Sequence, residues 1–107
     1  MLYNKQWETK VEEPVKLEPW RQTLLDAANV IRKRGWCQGR FSNHGRVCLL
    51  GAVFVAINGR VNQDNISKLF TEVKHRLDNQ GYNPGWNDAP SRKKAQVIEA
   101  LEKVAKT

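Results

Sequence analysis

Cys48 is the second residue of an apolar run at 47–57, and His44 lies four residues upstream of it. A cysteine in the first turn of a helix has its thiolate favoured by unpaired backbone N–H groups and the helix dipole. With Asn87 or Asp88 to orient the imidazole, this would be a Cys–His–Asp/Asn arrangement for nucleophilic chemistry. The same residues have a plainer reading. Cys48 is then the first core residue of a helix, His44 a turn residue, and Asn87–Asp88 a cap for the last helix.

Cys37, His44, Cys48 and His75 also offer zinc-ligating atoms. Their spacing, C-x6-H-x3-C followed by a distant histidine, matches no structural-zinc pattern, and His75 sits between Lys74 and Arg76 on what reads as a solvated face. No metal is expected.

The arginines give the strongest signal. Between Asp26 and Asp64 there is no carboxylate, yet Arg32, Lys33, Arg34, Arg40, Arg46 and Arg60 all fall there. Arginine forks grip phosphates, and the interleaved Trp36, Phe41 and His44 could stack on bases. A second basic group, Arg92, Lys93 and Lys94, opens the last helix, where cations oppose the dipole and gain nothing from it. Solubility or an acidic protein partner would account for the same charge. Trp36 and Trp86, each after a glycine, could face each other and line a pocket, or could plug the ends of the core.

The elements that must position these groups are helices. Pro19 opens a helix over 19–34, in which Trp20, Leu24, Ala27, Ala28 and Ile31 form one stripe. Arg32, Lys33 and Arg34 complement its C-terminal dipole, and Gly35 stops it. The segment 36–46 reads as a loop, with a short hairpin near 40–47 in which Phe41 and Val47 are the apolar positions. The run 47–57 reads as the central helix, apolar on nearly every face and wrapped by its neighbours. A third helix spans 63–79, capped by Asn62 or Asp64, with Ile66, Leu69, Phe70, Val73 and Leu77 inward. A turn-rich connection leads to a last helix over 90–106, capped by Asp88 or Ser91, with Ala95, Ile98, Leu101 and Ala105 inward.

Cys48-Leu49-Leu50-Gly51-Ala52 followed by Trp86-Asn87-Asp88-Ala89-Pro90, and preceded by Arg34-Gly35-Trp36, resembles a family of small uncharacterised proteins of bacteria and their phages, a domain of unknown function. The likeness covers about residues 20–105. Members often carry Gly-Arg-Thr after the proline, where this chain has Ser91-Arg92-Lys93. The resemblance implies a compact helical fold and brings no activity, cofactor or catalytic residue.

Length and composition set the remaining bounds. The chain has 107 residues and a net charge of +7, with 40% hydrophobic and 27% charged residues. That is one domain of ordinary globular composition. Its start lacks the apolar core of an export signal, and the run 47–57 is about half of the ~20 residues a membrane span needs. The expected location is cytoplasmic, with Cys37 and Cys48 reduced and no membrane partner. The expected architecture is all-α: an N-terminal arm at 1–17, where Trp7 is a packing anchor, and a four-helix domain at 18–107. The expected function is non-enzymatic binding of an anionic partner: nucleic acid, a nucleoprotein complex or an acidic protein surface. Arg32, Lys33, Arg34, Trp36, Arg40, Arg46, Trp86, Arg92 and Lys93 form the candidate binding set. The alternative is a small cysteine-dependent enzyme using Cys48 with His44 and Asp88.

Overall fold

A computed structural model describes residues 17–59 and 63–107. The arm at 1–16, including Trp7, lies outside the described residues, as do Arg60 and the candidate cap Asn62.

Helix α1, Pro19–Arg34, forms where expected. Trp20, Leu24, Ala27, Ala28 and Ile31 are all buried, and so is Thr23, whose hydroxyl donates to the Pro19 carbonyl at 2.7 Å. Gly35 ends the helix at φ 93°, a conformation that side chains resist. A Cβ there would also lie 2.9 Å from Cγ of Arg46.

From Gly35 the chain runs extended beside Val47. Val47 N–H donates to the Gly35 carbonyl, and Cys37 N–H donates to the Val47 carbonyl. Strands β1, Ser42–Asn43, and β2, Arg46–Val47, pair antiparallel with Ser42 opposite Val47 and Asn43 opposite Arg46. The turn residues His44 and Gly45 have φ of 53° and 86°. Positive φ at both central positions is what a type I′ hairpin turn requires. The hairpin is thus where the sequence placed it, but Val47 is buried opposite Ser42, while Phe41 precedes the strand and is 52% exposed.

Helix α2 covers Leu49–Asn58, two residues later than the start of the apolar run, because Val47 belongs to β2 and Cys48 is the N-cap. Leu49, Leu50, Gly51, Ala52, Val53, Ala56 and Ile57 are buried, whereas Phe54 is 41% exposed. The expectation of a helix wrapped on every side needs correction. The long helix packed against α2, α3 and α5 together is α1; α2 lies chiefly on α1 and α3. The small side chains of Ala27 and Ala28 let neighbours approach α1 closely, since interaxial distance follows side-chain size.

Helix α3, Gln63–Asn79, buries Leu69, Val73 and Leu77. It begins at Gln63, so Asp64 lies inside its first turn. Tyr82 N–H returns to the Leu77 carbonyl at 2.9 Å, across Gly81 at φ 87°. The connection that follows contains a further single-turn helix, α4, Pro84–Asn87, capped by Asn83 Oδ1 accepting from Trp86 N–H at 2.8 Å. The last helix, α5, covers Lys94–Ala105, starting later than the expected residue 90. A turn closed by Arg92 N–H donating to the Ala89 carbonyl takes up the intervening residues. Its N-terminus is held by Gln96 Oε1 accepting from Lys93 N–H at 2.9 Å, not by Asp88 or Ser91. Val97, Ala100, Leu101, Val104 and Ala105 are buried, while Ala95 in the first turn is exposed. The described residues are therefore mostly helical around a small hairpin, with five helices where four were expected. Among them no helix is long and apolar enough to cross a membrane.

Candidate functional site

The loop after α1, the head of α2 and the single turn α4 meet at Asn87, which is 1% exposed. Its Oδ1 accepts from the Trp36 indole N–H at 2.8 Å and from Leu49 N–H at 3.0 Å. Its Nδ2 donates to the Cys37 carbonyl at 3.3 Å and to Asp88 Oδ1 at 2.9 Å. Every polar atom of the amide is used, as a buried amide requires. Gln38 adds a second clasp, with Nε2 donating to the carbonyls of Asn87 and Ala89. Gly39 N–H adds a third, donating to Asp88 Oδ1 at 2.9 Å. Those two donors, Gly39 first and then Asn87, hold the Asp88 carboxyl below its ordinary pKa.

Beside this node a cleft of about 180 Å³ opens between Gly39, Arg40, Phe41, Cys48, Leu50 and Asp88. Pockets for drug-sized ligands begin at roughly 300 Å³, so a nucleotide cofactor would not be enclosed here. Cys48 lines the cleft but is buried, and its sulfur accepts from Gly51 N–H at 3.3 Å as the cap of α2. His44 stands at the exposed tip of the hairpin. No hydrogen bond among the described residues joins it to Cys48 or Asp88. Cys37 is also a buried free thiol; its sulfur lies 3.4 Å from the Arg40 carbonyl and 3.6 Å from that of Arg46. Burial, and then the neighbouring Cys48, push its pKa up. The described residues contain no metal-binding group of three or more His, Cys, Asp or Glu. His75, on α3, lies beside a groove with Glu72, Arg76 and Asn79.

The structure divides the candidate binding set. Arg32 is paired with Glu102 through an N–O contact of 2.6 Å. The Arg92 guanidinium carbon sits over the Trp86 ring, 3.9 Å from its centroid, and its Nε donates to the Trp86 carbonyl. Trp86 in turn meets Tyr82 edge to face, with centroids 4.8 Å apart. Trp36 and Trp86 do not form one pocket: the first is tied to Asn87, and the second belongs to a groove with Tyr82, Arg92 and Gln96. Lys33, Arg34, Arg40 and Lys93 are exposed. Arg46 is exposed as well, and its Nε reaches only the Asn43 carbonyl at 3.5 Å. Among the described residues none of these five is paired with a carboxylate. Arg34 precedes Gly35, against which Arg46 lies, and Cys37 touches the backbone of both Arg40 and Arg46. The fold thus gathers Arg34, Arg40 and Arg46 at the hairpin end.

Sequence alone offers Asn87 as a histidine-orienting or capping residue and does not reveal it as a node. The missing signal was tertiary, since all its partners except the adjacent Asp88 lie 38 to 51 positions away.

These features define a small helical domain whose arginine-bearing hairpin is clasped to its penultimate turn. The chain belongs to a family of unknown function, DUF6197, whose model matches residues 16–107. No curated protein and no solved structure matches it.

Proposed function

We propose that the chain is a non-enzymatic binding protein for an anionic partner (a nucleic acid, a nucleoprotein complex or an acidic protein surface) and that the hairpin end is its contact face. One observation carries this reading: the backbone brings Arg34, Arg40 and Arg46 to the hairpin end, each exposed and without a salt-bridge partner among the described residues. A locally positive field attracts and orients an anionic partner. A cytoplasmic accessory protein of a phage or mobile element fits this reading. The enzyme alternative has less support, because the Cys48 sulfur serves as a helix cap, Asp88 Oδ1 already holds two donors, and His44 points to neither by a hydrogen bond.

The test is capture from a lysate with and without nuclease, followed by titration of the captured partner at rising salt. Binding is expected to fall steeply with salt, as contacts that release counterions do. Arg34→Glu combined with Arg40→Glu should abolish it. Binding that is insensitive to salt and to the double reversal would overturn the proposal.

A further inference from the structure

Phe41 combines a fixed backbone with an uncovered ring. Its carbonyl accepts from Cys48 N–H at 3.0 Å and packs so closely on α2 that a Cβ at Gly51 would lie 2.2 Å from the oxygen. The main chain is therefore held against the helix, while the side chain remains 52% exposed, the most exposed large hydrophobic among the described residues. A buried neighbour, Val47, shows that the same hairpin can turn an apolar group inward. Phe41 is turned outward, onto the rim of the cleft, next to Arg40.

We infer that Phe41 is a stacking platform and that the anionic partner is single-stranded nucleic acid. The inference rests on the binding role proposed above and narrows it to one polymer. Bases in a duplex are stacked on one another and present no free face, whereas single strands offer a face at every nucleotide. An exposed ring on a fixed backbone, beside Arg40 and in the same end of the fold as Arg34 and Arg46, matches the combination of aromatic platform and basic track that such strands need. An acidic polypeptide would satisfy the guanidinium groups but leave the ring without a flat partner.

Asp88 supports the same polymer. Its carboxylate lies in the cleft with Arg40 and Phe41, and its depressed pKa keeps it ionised near neutrality. It repels a phosphate from that position. A carboxylate can accept from the exocyclic amine of a base. The base would therefore sit over the ring and the cleft, and the phosphates along the arginines outside.

The test is fluorescence anisotropy of the full chain with a labelled single-stranded oligonucleotide, the matching duplex, and polyglutamate. The single strand is expected to bind most tightly. Phe41→Ala should weaken it roughly five- to hundredfold, the range for loss of one stacked base, and Phe41→Tyr should restore most of the affinity. Because the ring is half exposed, Phe41→Ala should remain folded, which a circular dichroism melt checks. Equal affinity for duplex and single strand, with no effect of Phe41→Ala, would overturn the single-strand inference and leave the binding role intact. Preference for polyglutamate would do the same. Failure of Arg34→Glu with Arg40→Glu to weaken any of the three would instead overturn the binding role itself.

Discussion

Trp36 Nε1 and Asn87 Oδ1 meet at 2.8 Å, across 51 positions of sequence. The same oxygen accepts from Leu49 N–H, one of the four amides at the head of α2 that no helical carbonyl can reach. One side chain therefore closes the end of α2, orients an indole and holds the loop carrying Arg40 and Phe41.

Replacing Asn87 tests that dependence. Asn87→Ala strands Leu49 N–H, the Trp36 indole N–H and the Cys37 carbonyl at once. Each buried group left unpaired costs about 1–3 kcal/mol, so a loss of about 3 kcal/mol or more is expected in urea unfolding. A change below about 0.5 kcal/mol, the size of an ordinary surface substitution, would refute the role of Asn87 as a node.

The glycine inside α2, Gly51, and the one at its C-cap, Gly59, should respond with opposite signs. Alanine inside a helix is normally worth about 1 kcal/mol over glycine. At Gly51 that gain is reversed, because the new Cβ would stand 2.2 Å from the Phe41 carbonyl oxygen and backbone must move. Gly51→Ala should destabilise by about 1–3 kcal/mol, the usual cost of overpacking. At Gly59 the nearest atom is 3.7 Å away and φ is −83°, so Gly59→Ala should be neutral or stabilising. Equal midpoints for the two variants would show that the Phe41 loop does not rest on α2 as described.

Much of this was legible in the sequence, and what was not has a physical reason. The stripe Trp20–Ile31 and the stop at Gly35 are local and formed as read. The last helix starts at Lys94 and not at the expected residue 90, and neither Asp88 nor Ser91 caps it. The chain instead closes a turn there, and Arg92 folds back onto Trp86. Of the four residues expected inward, Leu101 and Ala105 are buried and Ile98 packs at the core's edge, but Ala95 is exposed, and Val97, Ala100 and Val104 join the buried face. Arg32 read as a free cation because Glu102 lies 70 positions away. The hairpin was legible from Asn43-His44-Gly45, but which of Phe41 and Val47 turned inward depended on register, set by the pairing of Val47 with Ser42.

The sulfur of Cys48 should behave as a cap. Serine is a strong N-cap, so Cys48→Ser should keep stability within about 1 kcal/mol, and Cys48→Ala should lose about 1 kcal/mol through the orphaned Gly51 N–H. Neither variant should alter binding of the anionic partner. Thiol labelling at neutral pH should be slow for both cysteines, since both are buried and burial raises the Cys37 pKa. A Cys48 that labels faster than a free thiol in the folded protein would revive the enzyme alternative.

Acid should loosen the clasp between Gly39 and Asp88. The folded pKa of Asp88 lies below its ordinary value of 3.8, because Gly39 N–H and Asn87 Nδ2 donate to the carboxylate. A depressed carboxyl pKa adds stability that is fully present above the unfolded value and disappears as pH falls through the folded one. Urea midpoints should therefore be flat in this contribution above about pH 5 and decline below about pH 4. Asp88→Ala should lower the midpoint at neutral pH and flatten the decline. A variant whose acid profile parallels that of the parent chain would show that the carboxylate has no such linkage.

The arginines should separate by what they touch. Arg32 is held by Glu102, and such exposed pairs contribute only about 0–1 kcal/mol. Arg32→Ala should therefore change stability little. It should also change partner binding less than Arg40→Ala, because Glu102 already offsets its charge. Arg40 has no carboxylate partner among the described residues, and its backbone is fixed by the Cys37 contact, so its guanidinium is available to a ligand. The comparison needs only dissociation constants for the two single variants at one salt concentration, together with their salt slopes. Losing one released counterion lowers the slope by roughly one unit, which is expected for Arg40→Ala and not for Arg32→Ala. If Arg32→Ala proved the more damaging, the contact face would have to lie along α1 and α5 instead of at the hairpin.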